Sequence, residues 1–363
     1  MLDRVLAALE RVIEPDSGEH ILRRGMVRDL VAEDDRIALT LVLDNPGSDF
    51  ASVAEHRVRE AVQAELDREI HVDVTLDNPV IGFGDDLKVD GKKQLLPGVR
   101  HTLAVASGKG GVGKSTVSVN LAVALARQGY RVGLVDTDIY GPSIPVMLDL
   151  EDAKPRVNSD RRILPVEAHG VRVLSMGFLV DPGKAVIWRG PMVTSAVRQF
   201  LGEAEWGDLD FLLLDLPPGT GDIQLTIVQT IPLAGSVIVS TPQKVALADA
   251  RKGVAMFRQV NVPVVGIVEN MAWFEPPDLP GRRYHLFGEG GAARLAEEEG
   301  VPLLGQIPIQ EGLREACDAG LPAAAGDDLL AAQFAELATA TARSVFRRAA
   351  TQPASQKIEI LYK

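Results

Sequence analysis

Gly108-Lys109-Gly110-Gly111-Val112-Gly113-Lys114-Ser115-Thr116 is the stretch on which the fold turns. It carries the spacing G-x-x-x-x-G-K-[ST], in which successive backbone N–H groups wrap phosphate oxygens. In that pattern the lysine reaches the β/γ phosphates and the hydroxyl after it meets Mg²⁺. Gly108, Gly110, Gly111 and Gly113 let the backbone approach an anion closely. The apolar run Leu103 to Ala106 predicts a strand before the loop, and Val117, Leu121, Ala124 and Leu125 recur at helical spacing after it. All of 108–116 is therefore expected to line a nucleotide at a strand-to-helix turn. Lys109 is one lysine more than the pattern needs, since Lys114 already fills the conserved slot of the motif.

Outward from the loop, apolar runs alternate with helical stretches from His101 onward: Leu103 to Ala106, Arg131 to Val135, Val171 to Leu174, Phe211 to Leu214, Ser236 to Ser240, Val262 to Val268 and Leu303 to Ile307. Continuous β-branched runs separated by helices predict an α/β fold, a mostly parallel sheet covered by helices on both faces. With the loop present, that is a P-loop NTPase. Upstream, Leu2 to Ile13 and Ala51 to Leu66 read as helices, and Arg36 to Leu43 and Ile70 to Leu76 alternate as strands. The expected organisation is a small α+β domain over 1–76, a linker over 77–100 rich in Gly and Pro, an ATPase domain over 101–349 and a flexible tail over 350–363. A C-terminal helix from about Leu329 to Arg348 carries an apolar stripe expected to pack on its domain.

Ligands of such sheets bind where the strands end. The run Arg131 to Val135 leads into Asp136-Thr137-Asp138, and Phe211 to Leu214 leads into Asp215. An apolar strand ending in Asp is the arrangement that holds Mg²⁺ against the phosphates. Leu216-Pro217-Pro218-Gly219-Thr220-Gly221-Asp222 follows, where Gly219 and Gly221 can reorient a backbone amide as a γ-phosphate comes and goes. Glu269-Asn270 is expected at the end of the run Val262 to Val268, offering an amide to a base edge. No guanine-reading Asn-Lys-x-Asp tetrapeptide occurs, which favours adenine.

Composition sets the outer bounds. The chain has 363 residues, 46% hydrophobic and 24% charged, as in a globular protein with room for two domains. Its formal charge of −12 opposes nonspecific binding to nucleic-acid phosphates. No apolar run approaches the length of a membrane span, and the N-terminus is an acidic amphipathic helix rather than a basic leader, so a cytoplasmic location is expected. With one cysteine, Cys317, no intrachain disulfide can form. The histidines are scattered, and no structural zinc is expected.

With these residues assembled, the chain resembles the Mrp/Nbp35 group of P-loop ATPases, iron-sulfur cluster carriers within the wider class that includes MinD and ParA. The resemblance rests on Lys109 to Thr116, Asp136 to Ser143, Asp215 to Asp222, Thr241-Pro242-Gln243, Glu269-Asn270-Met271 and Phe287-Gly288. Residues 1–76 resemble a MIP18-type domain through Glu14-Pro15-Asp16 and Arg24-Gly25-Met26-Val27. The resemblance implies ATP and Mg²⁺ as cofactors and a homodimer across the nucleotide sites, with iron-sulfur apoproteins or assembly factors as clients. It gives Lys109 a role in trans on the other subunit's nucleotide and puts Lys114 on the β/γ phosphates. Ser115 would ligate Mg²⁺, Asp136 and Asp215 would hold the ion's outer shell, Asp138 would orient the attacking water, and Asn270 would meet adenine.

It breaks at the cargo. Carriers of this kind follow Glu-Asn-Met with Cys-Pro-x-Cys, which two protomers pool around a [4Fe-4S] cluster, and those positions here are Pro276 and Leu279. Iron-sulfur clusters are held by thiolates, and one Cys317 per chain gives a dimer only two. In the N-terminal domain, Asn45-Pro46-Gly47-Ser48-Asp49 replaces a frequent Cys-Pro. Cys317 is expected near the start of a helix, in a packing role. A cluster therefore enters by family resemblance alone, with no iron-sulfur ligand identified. Two alternatives stay open: a MinD/ParA-like dimerisation switch or scaffold without a cluster, and an ATPase acting as timer for a partner-recognising N-terminal domain, with Glu275 to Arg283 as a docking loop.

Overall fold

The structure is a computed structural model describing residues 1–33, 36–43, 49–67, 70–77, 96, 98–179, 190–276, 278–279 and 281–351. Most of the stretch read as linker, the tail beyond Thr351, and Asn45 to Ser48 lie outside the described residues. The chain forms two compact units, one of Met1–Asp90 with Arg343–Lys363, the other of Gly91–Ala342.

In the first unit, strands Val27–Ala32, Arg36–Val42 and His71–Asp77 form one sheet. The first pair is antiparallel and the second parallel, with helix Asp49–Leu66 making the crossover. The strand Arg36–Val42 alternates buried and open positions, placing Ile37, Leu39 and Leu41 in the core. The opening helix stops at Leu9 instead of Ile13, because Ile13–Glu14 turns into a short ladder with Glu19–His20. The last turns of the long helix Leu329–Thr351, expected within the domain over 101–349, count with this unit. Arg343 reaches both carboxylate oxygens of Glu10 at 3.2 and 3.1 Å, Arg347 meets Asp3 at 2.9 Å, and Phe346 stands edge-on to His20.

The second unit is built on an eight-stranded sheet in the order Val166–Ala168, Val171–Ser175, Val132–Asp136, Leu209–Asp215, Val99–Ala106, Gly235–Ser240, Val264–Phe274, Leu303–Ile309. Every pairing is parallel except the first, an edge hairpin of which the run Val171 to Leu174 was expected and the three-residue outer strand Val166–Ala168 was too short for periodicity to reveal. The central strands Val132–Asp136, Leu209–Asp215 and Gly235–Ser240 are buried at every position, as a sheet covered on both faces requires. The loop strand starts at Val99, inside the stretch read as linker, because Leu209 pairs with it there. Glu269 and Asn270 lie within a strand that runs on to Phe274, where an end was expected; the ladder to Leu303–Ile309 is irregular between Asn270 and Phe274.

Phe211 is fully buried on the central strand, its ring 5.1 Å from Tyr130 and 5.6 Å from His101. Phe211→Ala is expected to lower stability by about 3–5 kcal/mol, because a fully buried ring is lost and a cavity is left beside Tyr130 and His101. Urea unfolding would read this as a lower midpoint at unchanged slope; a midpoint within experimental error of the parent would refute the packing assigned here.

Candidate nucleotide site

The helix Lys114–Arg127 begins at Gly113, whose φ of 78° is left-handed, and no side chain caps it. Its first backbone N–H groups have no intrahelical acceptors and point with the positive end of the helix dipole, a ready anion site. The loop has no room for side chains where it turns. A Cβ on Gly108 would collide with the backbone of Asp249, and one on Gly113 with the Asn270 amide. Asn270, buried, donates from Nδ2 to the Val112 carbonyl at 2.9 Å, so in this structure it braces the loop from behind. Val112 is buried, Gly110 and Gly111 are exposed, and Thr116 accepts at its carbonyl from Asn120 at 2.8 Å.

Below the loop, strand register brings the acids together. Asp215 pairs directly with Asp136, and Asp136 with Ser175, across three adjacent parallel strands. The Asp215 carboxylate accepts from Lys114 Nζ at 2.5 Å, Ser115 Oγ at 2.6 Å and Ser118 Oγ at 2.6 Å. Lys114 Nζ also lies 3.1 Å from Ser115 Oγ. Both partners of this ion pair are buried, at 6% and 0% side-chain exposure. Asp136, fully buried, accepts from the Asp138 N–H at 3.1 Å and from Ser175 Oγ at 2.9 Å. Burial and then repulsion from Asp215 push its pKa up to about 7, against those hydrogen bonds and the attraction of Lys114. Thr137 clamps the Asp215 carbonyl from its N–H and its hydroxyl, at 3.0 and 2.7 Å.

Asp138 accepts at Oδ1 from the N–H groups of Tyr140 and Gly141, both at 3.2 Å, capping the turn after its strand. The Gly219 N–H donates to the Ser107 carbonyl at 3.0 Å, and Ser107 Oγ donates to the Lys109 carbonyl at 2.9 Å, so the stretch after Asp215 is tied to the start of the loop. Lys109 is half-buried and makes no ion pair among the described residues. Ser118, Ser175 and Thr137 were not singled out from sequence. Only Ser118 left a signal there, since it follows Lys114 by four residues and so shares its helix face.

For a divalent cation the donors are Ser115 Oγ and the two carboxylates behind it. A small hard cation that keeps most of its waters needs little more once a nucleotide brings phosphate oxygens, so these residues fit Mg²⁺. Cys317 sits in the last turn of helix Glu311–Asp318 instead of near its start. It is buried, with Asn120 Nδ2 3.9 Å from its sulfur, and burial pushes the thiol pKa up. Phe274 and Tyr284 exchange backbone hydrogen bonds of 2.8 and 2.9 Å, closing the segment that contains Pro276 and Leu279.

Residues 98–343 match the family described as ParA, NUBPL iron-transfer P-loop NTPase, and residues 2–76 match the iron-sulfur cluster assembly protein family. The chain belongs to the NUBPL iron-transfer P-loop NTPases. It is 46% identical over 324 residues to an iron-sulfur cluster carrier protein of Synechocystis sp., covering 88% of this chain and 90% of the relative. An Arabidopsis thaliana iron-sulfur protein required for NADH dehydrogenase in mitochondria is 51% identical over 62% of this chain and 72% of its own length. Among solved structures, a nucleotide-binding protein from Archaeoglobus fulgidus in complex with ADP is 44% identical, with a TM-score of 0.56 over 62% of this chain and 88% of that one. The site of this NUBPL-family NTPase thus combines an uncapped helix start with a fully occupied carboxylate, Asp215, beneath it.

The raised pKa of Asp136 sets a pH dependence. An acid whose folded pKa exceeds its unfolded value of 3.8 adds stability below that value, and loses it as pH rises through about 7. In magnesium-free, nucleotide-free buffer, the melting temperature of the parent is expected to fall between pH 5.5 and pH 8 relative to that of Asp136→Asn. Parallel pH profiles for the two proteins would contradict the burial and the neighbouring charge given for Asp136.

Proposed function

We propose that this chain is a magnesium-dependent ATPase that serves iron-sulfur cluster assembly or delivery as a homodimer in the cytoplasm. The observation that carries the nucleotide half is the single carboxylate of Asp215, which accepts at once from Lys114, Ser115 and Ser118 directly under an uncapped helix start. The names of the relatives support the cluster half.

In this reading Lys114 exchanges Asp215 for β/γ phosphate oxygens when ATP enters, and Ser115 turns its hydroxyl oxygen toward the metal. Bound Mg²⁺ neutralises charge across the phosphate oxygens. Asp136 and Asp215 orient the waters around the ion, and Asp138 orients the attacking water. Lys109 completes the partner subunit's site, adding positive charge where it develops on the transferring phosphoryl group. Asn270 meets the adenine edge when its brace on Val112 is released. The Gly219 N–H, held by Ser107 in this structure, is free to turn toward a γ-phosphate.

The cargo is narrower than in a carrier with cysteine ligands. Pro276 and Leu279 offer no thiolate, and Cys317 is a buried thiol held protonated by its surroundings. The cluster is then borne by an altered ligand set or by a partner for which this ATPase is the adaptor. The same observation favours a second reading, a nucleotide-dependent dimerisation switch with no cluster of its own.

Lys114→Ala is expected to abolish nucleotide binding, and Asp138→Asn to bind ATP without turnover. Lys109→Ala should retain binding but lose hydrolysis on the order of 10³-fold or more, as removal of a cation supplied in trans does. Calorimetry and phosphate release measure these, and full turnover by Lys109→Ala would remove the trans role. Anaerobic reconstitution with iron and sulfide analysis separates the cargo readings: one cluster or more per dimer supports the direct carrier, less than one the adaptor or the switch.

A further inference from the structure

Two patches of opposite charge lie close together, one in the segment after the strand Val264–Phe274 and one on the helix Glu311–Asp318. Arg282 and Arg283 are exposed, and each lies over an aromatic ring, Arg282 at 5.2 Å from Tyr284 and Arg283 at 4.1 Å from Trp273. Neither makes an ion pair among the described residues. Stacking fixes both guanidinium groups on the surface while leaving their N–H edges to a partner. Leu279, Tyr284 and Leu286 are exposed around them. The Trp273 indole N–H is buried with no acceptor among the described residues, so the chain by itself does not satisfy the floor of this patch.

Beside it opens a cavity of about 390 Å³ lined by Phe274, Glu275, Pro276, Gln310, Glu311 and Glu315. Arg314 is shared among Glu311 at 4.0 Å, Glu315 at 3.1 Å and Asp318 at 2.8 Å, which leaves the cluster negative. The strands Val264–Phe274 and Leu303–Ile309 run parallel with the loop strand's neighbours. Their C-terminal ends, Phe274 and Gln310, therefore emerge at the sheet edge from which Lys109 also emerges.

We propose that these two patches form a reciprocal electrostatic clamp between two copies of this chain, Arg282 and Arg283 of each engaging Glu311 and Glu315 of the other across a two-fold axis. The proposal rests on the dimer of the preceding subsection and names the surface that holds it. A surface carrying both signs, its arginines without an ion pair among the described residues and its acids outnumbering the Arg314 they share, is self-complementary under two-fold symmetry, where the same residues contact in both directions. An acidic or a basic foreign partner would satisfy only half of it. The exposed apolar side chains of Leu279, Tyr284 and Leu286 near the arginines supply apolar area that an interface needs. No cysteine lies in 274–284, so thiolate ligation plays no part in pairing the copies at this segment.

The test is sedimentation velocity on the full chain with Mg²⁺ and a non-hydrolysable ATP analogue. Arg282→Glu with Arg283→Glu, and separately Glu311→Lys with Glu315→Lys, are each expected to weaken the dimer about tenfold or more while circular dichroism and analogue binding stay unchanged. Mixing the two variants is expected to restore pairing, because each then meets its opposite charge in both directions. Variants that dimerise like the parent, or a mixture that stays monomeric, overturn the clamp while leaving the dimer itself intact. A parent chain that stays monomeric with the analogue overturns both the clamp and the dimer on which it rests. If instead each variant loses its shape by circular dichroism, Arg283→Gln and Glu315→Gln replace them. The clamp then predicts weaker pairing with a smaller salt dependence, and an unchanged salt dependence overturns it.

Discussion

The buried pair of Lys114 and Asp215 is the constraint on which the rest of the second unit depends. An ammonium and a carboxylate taken out of water are tolerated only if matched, and removing one partner of such a pair costs about 3–5 kcal/mol. The chain meets that demand with two hydroxyls on the same carboxylate, from Ser115 and Ser118, and with Thr137 on the adjoining carbonyl. The strands on either side are apolar and closely packed. A Cβ on Gly133 would come within 2.6 Å of a Leu212 side-chain carbon, so a larger residue there would make Leu212 shift. Asp136 pairs directly with Asp215 across the ladder, and its burial first and the neighbouring carboxylate second raise its pKa.

The pair also explains how the site can respond to a nucleotide. Lys114 and Ser115 are both engaged with Asp215 in this structure, so in the proposed mechanism phosphate binding exchanges one set of charge-assisted hydrogen bonds for another. Asn270 braces Val112, and Ser107 holds both Gly219 and the Lys109 carbonyl. The first contact joins the loop to the interior of the strand Val264–Phe274, the second ties the stretch after Asp215 to Ser107, and the third lies within the start of the loop itself. Met271, next to Asn270, has a φ of 55°, in the left-handed region that a non-glycine residue adopts at a cost, and it sits in the irregular part of that strand's ladder.

The segment from Phe274 to Tyr284 carries no cysteine. Thiolates there would make a metal site, whereas its stacked arginines and the acidic cavity beside it are what the proposed contact between two copies rests on. Family membership and the nucleotide machinery are compatible with either, since neither depends on what this loop presents.

Much of the site was legible in the chain itself. The spacing of Gly108 to Thr116 determined the loop, its glycines and its lysines, because a phosphate cradle tolerates few alternatives. Apolar runs ending in Asp136 and Asp215 likewise marked the carboxylates and the parallel sheet, and the cysteine count excluded a cluster held by this chain's own four thiolates. The tertiary structure alone decided that Asp136, Asp215 and Ser175 stand abreast, since register is a relation between strands distant in sequence. It also decided that Asn270 lies within a strand and against the loop, that Cys317 is buried at the end of a helix, and that the last turns of the C-terminal helix join the first unit. Local pattern carries information about period and turn chemistry, whereas these placements follow from which distant surfaces bury each other.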